Sequence, residues 1–168
     1  MAARNVLKNF NLFVDGRGLA GQIEEFTPPK LNLKVDEFRA GGMDAPLAIP
    51  MGMEKLESSA SILCYDISVL AAWGIASGNS TRFVTRGALE SMDGTVTPIV
   101  HTMAGRIREI DYGSYKPGDK APVKITMDLT FYRFEQGDLV VHEVDVENMT
   151  RIVNGVDVLA AQRSALGG

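Results

Sequence analysis

The chain has 168 residues, 45% of them hydrophobic, enough for one sizeable core and in favour of one domain over two. Its formal net charge is −4, with Lys and Arg scattered among acids, so no basic stripe offers itself to a phosphate backbone and sequence-specific nucleic-acid binding is disfavoured. Cys64 is the only cysteine, which excludes an internal disulfide framework and a Cys-based zinc cluster and fits synthesis in a reducing compartment.

The first stretch, MAARNVLKNFNLFVDG, has polar residues breaking every apolar run, so no secretory signal is expected there. The run VLAAWGIA at 69 to 76 is far shorter than the ~20 residues of a spanning helix, and a soluble chain is expected. Two Asn-x-Thr triplets, at Asn79 and Asn148, match the glycosylation pattern, which is common by chance and idle without a secretory route.

In NLFVDGRGLAG, apolar residues flank Asp15-Gly16, a dipeptide that supplies the positive φ angles of a tight turn, and a first β-hairpin is predicted. After Pro28-Pro29, Leu31, Leu33 and Val35 alternate with Asn32, Lys34 and Asp36, the period of a strand with one buried face. That strand runs into a segment at about 40 to 53 read as a long loop, with a Gly pair, Pro46, Pro50 and three methionines. LESSASILCY is strand-compatible. DISVLAAWGIAS then changes period, and Asp66 caps a predicted helix with Ile67, Leu70, Ala71 and Gly74 on one face.

Two long strands, TRFVTRGALES and TVTPIVHTMAGRIREI, surround the turn at Asp93-Gly94, with Pro98 confined to a strand start, an edge or a bulge. The segment DYGSYKPGDKAP is a loop, and VKITMDLTFYRF alternates Val123, Ile125, Met127, Leu129 and Phe131 against polar neighbours, the clearest strand of the chain. LVVHEVDV follows a turn at Gly137-Asp138, and a short C-terminal helix is predicted with Asp157 as its cap and Gly167 beyond its last turn. Hairpin-linked strands with about two helices imply a mainly β fold, an antiparallel sandwich or barrel, in a single domain spanning 1 to 168.

The motifs of catalysis are weak. Gly16 to Gly21 satisfies G-x-G-x-x-G, but only six residues separate Gly21 from Pro28-Pro29, which leaves no room for a dinucleotide-binding helix. His101 and His142, the only histidines, lie on predicted strands without a G-x-S-x-G elbow or an H-E-x-x-H motif, and Cys64 reads as a small core residue. Acid pairs Glu24-Glu25 and Asp36-Glu37 would point to opposite faces of a strand, unlike a glycosidase dyad. No enzyme active site, metal or cofactor is expected. Met43, Met51 and Met53 instead give the 40 to 53 segment unbranched side chains suited to filling irregular gaps between surfaces. Docking to a partner and folding back over its own barrel are both open to it.

Taken in order, NLFVDG, PPKL, FRAGGMDAP, MGMEKLE, REIDYGSYKPGD and VNGVDVLA resemble the major tail tube protein of contractile-tailed bacteriophages and R-type pyocins, from about Asn11 to the C-terminus. The resemblance implies a β-barrel-like subunit with a flanking helix, assembled as hexameric rings whose inner strands join around a lumen. The rings would stack into a tube inside a sheath protein, begun by baseplate tube-initiator proteins and filled by a tape-measure protein or DNA. On contraction the tube would be driven through the target cell envelope, to conduct DNA in a phage or to leak ions in a pyocin. By the same resemblance the inter-subunit loop would comprise Arg39, Gly41, Gly42, Met43, Asp44, Pro46, Met51 and Met53. Glu90, Arg106, Arg108 and Glu109 are candidates for the lumen lining, on one face of the strands at 81 to 90 and 95 to 110. A type VI secretion-like tube and a cell-wall hydrolase are the alternatives.

Overall fold

The computed structural model describes residues 4–168. Its strands are β1 (Val6–Val14), β2 (Arg17–Gly18), β3 (Ile23–Thr27), β4 (Leu33–Phe38), β5 (Leu47–Met53), β6 (Glu57–Ile62), β7 (Thr81–Glu90), β8 (Val96–Asp111), β9 (Val123–Gln136), β10 (Leu139–Asp145), β11 (Thr150–Val153) and β12 (Val156–Asp157). Helices α1 (Ile67–Leu70) and α2 (Ala160–Ala165) are short, so the expected mainly β architecture with two minor helices is the one observed.

Ten strands form one antiparallel sheet along the path β12-β11-β10-β9-β8-β7-β1-β2, and β9 is where it forks. The first half of β9 pairs with β6, from Ile62↔Val123 to Glu57↔Asp128, and β6 carries β3 on its other side. Its second half pairs with β10, from Asp145↔Phe131 to Leu139↔Gln136. A bulge marks the fork: Ala104 pairs with Phe131 and Gly105 with Leu129, so Thr130 has no partner on β8 and its carbonyl instead accepts from Val146 N at 2.9 Å. The bulge flips the inward residues from Val123, Ile125, Met127 and Leu129 to Tyr132, which breaks the simple alternation predicted for this strand.

The core is made where the β6 and β3 arm faces β1, β7, β8 and β9, with Leu12, Phe83, Met103, Ile125 and Met127 fully buried. Side chains of this size each contribute about 1.5–3 kcal/mol on burial. One row crosses the sheet on this inner face through paired residues: Leu12, Thr85, His101, Phe134 and His142. Pro98 sits near the start of β8, where its carbonyl accepts from Gly137 N on the side that β9 has already left, so its missing N–H costs the ladder nothing.

Four sequence expectations are corrected. The 40 to 53 segment is only half loop: Leu47–Met53 is strand β5, paired with β4 from Phe38↔Leu47 to Leu33↔Met53. The strand β4 has no buried face, because all six of its residues are exposed. The internal helix is a single turn, with Asp66 accepting from Ser68 N at 2.9 Å as expected of a cap, and it stops well before Gly74, which takes φ +67°. At the C-terminus Leu159, not Asp157, occupies the N-cap; Asp157 accepts from Leu159 N at 3.0 Å and pairs with Arg163 at 2.8 Å.

Candidate assembly surfaces

The β4–β5 hairpin is a two-stranded sheet of its own, paired with no other strand among the described residues. Its register and the two-residue period put Phe38, Leu47, Ile49 and Met51 on one face, exposed by 52%, 56%, 40% and 60%. Leu33, Val35 and Pro50 share the other face, with a bulge between Val35↔Pro50 and Leu33↔Met53 in which Gly52 takes φ +103°. An isolated two-stranded hairpin is marginal in water, and this one exposes apolar side chains on both faces.

The tip is folded on itself. Arg39 Nε donates to Met43 O at 3.1 Å, Met43 N donates to Ala40 O at 3.2 Å, and Gly42 supplies the positive φ of the turn at +88°. Arg39, Gly41, Gly42, Asp44 and Pro46 are exposed there, while Met43 is half-buried under its own loop. A Cβ at Gly41 would meet nothing within 4 Å, so nothing among the described residues requires glycine at that position. Met51 lies on the exposed face and Met53 packs against the core, so the three methionines of the segment have three different surroundings. The hairpin is anchored at its base by Glu54 N donating to Asn32 O at 2.9 Å.

The outer face of the sheet carries Arg82, Arg86 and Glu90 on β7, at every fourth position and so on one face. Across the register it continues through Thr102 to Arg133, and from Arg133 to Glu143 on β10. Arg133 donates to Glu135 at 2.9 Å and lies 3.7 Å from Glu143. Glu90 stands at one end of this face, level with Val96 and Val6. Arg106 continues the alternation along β8, and Arg108 is the extra residue of a bulge between Ile107 and Glu109, so Arg108 and Glu109 both face outward. Arg108 bonds Glu57 at 2.9 Å and lies 3.5 Å from Asp128, with Lys55 bridging the same two acids. Lys55 first and Arg108 second hold the Glu57 carboxyl below its usual range. The four sequence candidates thus share the outer face but divide between its two ends, Glu90 half-buried at one and Arg106, Arg108 and Glu109 exposed at the other. Sequence reasoning missed the Arg133, Glu135 and Glu143 group, which depends on the register of β9 against β10.

The sheet also has open edges. Along β1, the pairing with β2 covers only Phe13 and Val14, so Val6 to Asn11 have no strand on that side among the described residues. The short β12 ends the sheet opposite it. The histidines belong to the inner face rather than to a cleft with a nucleophile: His101 Nδ1 lies 3.0 Å from Tyr132 Oη and its ring 4.7 Å from that of Phe134. Burial holds His101 below its ordinary pKa and pushes the Tyr132 phenol up to about 12. Residues 16–21, which satisfy the glycine motif, run from the β1–β2 turn through strand β2 into the turn before strand β3.

Comparison with known proteins gives this surface its context. The sequence is 30% identical over 171 residues to the tail tube protein of Escherichia phage P2, covering 99% of each chain. It is 31% identical to the major tail tube protein of Serratia phage KSP20, over 88% of this chain and 86% of that one. The fold is shared with a sheath/tube terminator of an extracellular contractile injection system, at a TM-score of 0.59 and 10% identity over 76% of this chain and 94% of that one. Residues 4–167 match the family described as phage tail tube protein FII. With that match over nearly its whole length, the chain belongs to the phage tail tube protein family, and its role is structural rather than enzymatic.

Proposed function

We propose that this chain forms hexameric rings that stack into the inner tube of a contractile tail or an R-type bacteriocin. The observation that carries the reading is the unpartnered β4–β5 hairpin on a sheet with open edges. Exposed edges and a two-faced apolar hairpin are an aggregation hazard in a free monomer, and they become interfaces once neighbouring copies cover them. Contacts of this head-to-tail kind close into a ring in one direction and continue as an open stack in the other.

In this reading the outer face with Arg82, Arg86, Glu90, Arg133, Glu135 and Glu143 lines the lumen, and its pairing of opposite charges leaves little net attraction for a phosphate polymer. The hairpin tip from Arg39 to Pro46 reaches an adjacent subunit. The sheath surrounds the tube, a baseplate protein starts it, a tape-measure protein or DNA occupies it, and contraction drives it through a cell envelope. Negative-stain electron microscopy of the purified chain, alone and with a baseplate initiator co-expressed, tests the reading. Hollow rings or tubes are expected, and monomers under both conditions would overturn it.

A further inference from the structure

The two ends of the long strand β8 carry different exposed patches. At its start the β7–β8 turn lifts Met92 into solvent, 75% exposed, beside Val96 at 58%. Beyond its end, Tyr65, Tyr112 and Tyr115 form an aromatic cluster: the rings of Tyr65 and Tyr112 stack at 6.1 Å, and the hydroxyls of Tyr65 and Tyr115 lie 3.3 Å apart. Tyr115 is 69% exposed there. Sixteen residues of strand put the patches about 50 Å apart, so no single copy brings them together.

We propose that copies of the chain stack head to tail with the β7–β8 turn of one, led by Met92, seated on the tyrosine cluster of the next. This rests on the tube reading above and names a contact within it. A pairing of like ends would cover one patch and leave the other exposed, whereas head-to-tail stacking covers both with a single kind of contact. A thioether against aromatic rings is a favourable pair. Charge agrees: the β7–β8 and β9–β10 turns hold Asp93 and Asp138 without a Lys or Arg between their strand ends, and the loop after β8 holds Lys116 and Lys120 with the single acid Asp119. Arg4 and Lys8, near the start of β1, are the basic residues closest in the pairing to the acidic end. Like-end pairing would set carboxylates against each other.

Both surfaces are already ordered in the free chain, which lowers the entropy lost on contact. In the turn, Ser91 N donates to Thr95 O at 3.0 Å, Gly94 N to Ser91 O at 2.9 Å, and Thr95 N to the Asp93 carboxylate at 2.9 Å. That last bond also holds Asp93 below its usual carboxyl range, so its charge persists at neutral pH.

The test is a disulfide trap. In a Cys64→Ser background, Met92→Cys and Tyr115→Cys are combined, tubes are assembled and oxidised, and the products are run on a non-reducing gel. A ladder of dimers, trimers and higher species, absent from either single-cysteine chain, is expected. Intact tubes that yield only monomers would overturn the contact. Should the double variant fail to assemble, Met92→Leu and Met92→Asp decide: tubes from the first and none from the second are expected, and tubes from Met92→Asp would overturn the proposal. No tubes from the unaltered chain would instead tell against the tube reading itself.

Discussion

The Nδ1 of His101 lies 3.0 Å from the hydroxyl of Tyr132, across the β8–β9 ladder on the inner face of the sheet. Burial holds the imidazole below its ordinary pKa, so in the window just under pH 6.5 the unfolded chain binds a proton that the folded chain refuses. Stability therefore falls as pH drops through that window and is recovered as pH rises. Thermal melts at pH 7.5 and 5.5 are expected to show this loss, and His101→Gln is expected to shrink it. Glu57, Asp66 and Asp157 have lowered pKa values and titrate below the window, so they do not imitate the effect. An unchanged pH difference in the variant would contradict the assignment. Tyr132→Phe removes the partner of Nδ1 and is expected to cost about 1 kcal/mol in urea unfolding.

Gly105 marks the fork of the sheet. A Cβ there would stand 2.1 Å from Asp128 O and 2.8 Å from Leu129 Cα, both backbone atoms that cannot turn aside. Gly105→Ala is expected to destabilise the subunit by roughly 3 kcal/mol, at the upper end of overpacking costs. Gly41→Ala, with open space around it, is expected to leave the urea midpoint unchanged. If a neighbouring backbone approaches Gly41 in the tube, the same variant folds normally and assembles poorly, which sedimentation would detect.

Excision of the hairpin separates folding from assembly. Asn32 and Glu54 are already adjacent, joined by Glu54 N to Asn32 O at 2.9 Å and by Asn32 Nδ2 to the Glu54 carboxylate at 2.8 Å, so a short turn can replace residues 33 to 53. Leu33 to Met51 contribute nothing to the buried core, whereas Met53 packs on its rim. The shortened chain is expected to unfold within about 1 kcal/mol of the parent, given that only partial burial of one Met is lost, and to form no tubes. Tubes from it would remove the hairpin from the interface.

These outcomes track what local sequence encodes. Asp15-Gly16 and Asp93-Gly94 declare their hairpins because the turn geometry is set by two residues, with φ +47° and +84° at the first pair. The Asp66 cap is legible for the same reason. Strand β5 is not, since Pro50 and Gly52 in LAIPMGM read as loop residues; they fit because the hairpin has no further strand to satisfy. The alternation in β4 promised a buried face, yet among the described residues nothing covers it and all six of its residues are exposed. The fork at Thr130 and the Arg133 group follow from which strands meet β9, information that no window of sequence contains.

Trp73 offers a direct reading of whether the tyrosine-bearing end becomes covered. It is the only tryptophan, 57% exposed, and its Nε1 donates to the Arg108 carbonyl at 3.0 Å, close to the end of β8 that leads into Tyr112. That carbonyl belongs to the bulged residue of β8, so the indole is fixed to the sheet by a hydrogen bond as well as by packing. An indole held this way keeps its orientation while its surroundings change. Stacking of a second copy on this end would exclude water from the ring, which is expected to shift its emission to the blue and to reduce iodide quenching as tubes form. The hairpin-excised chain, which retains Trp73 but does not assemble, is expected to keep the emission of the free subunit. Tubes whose tryptophan remains as quenchable as in the monomer would mean that this end of β8 stays in solvent, and the head-to-tail contact would have to lie elsewhere.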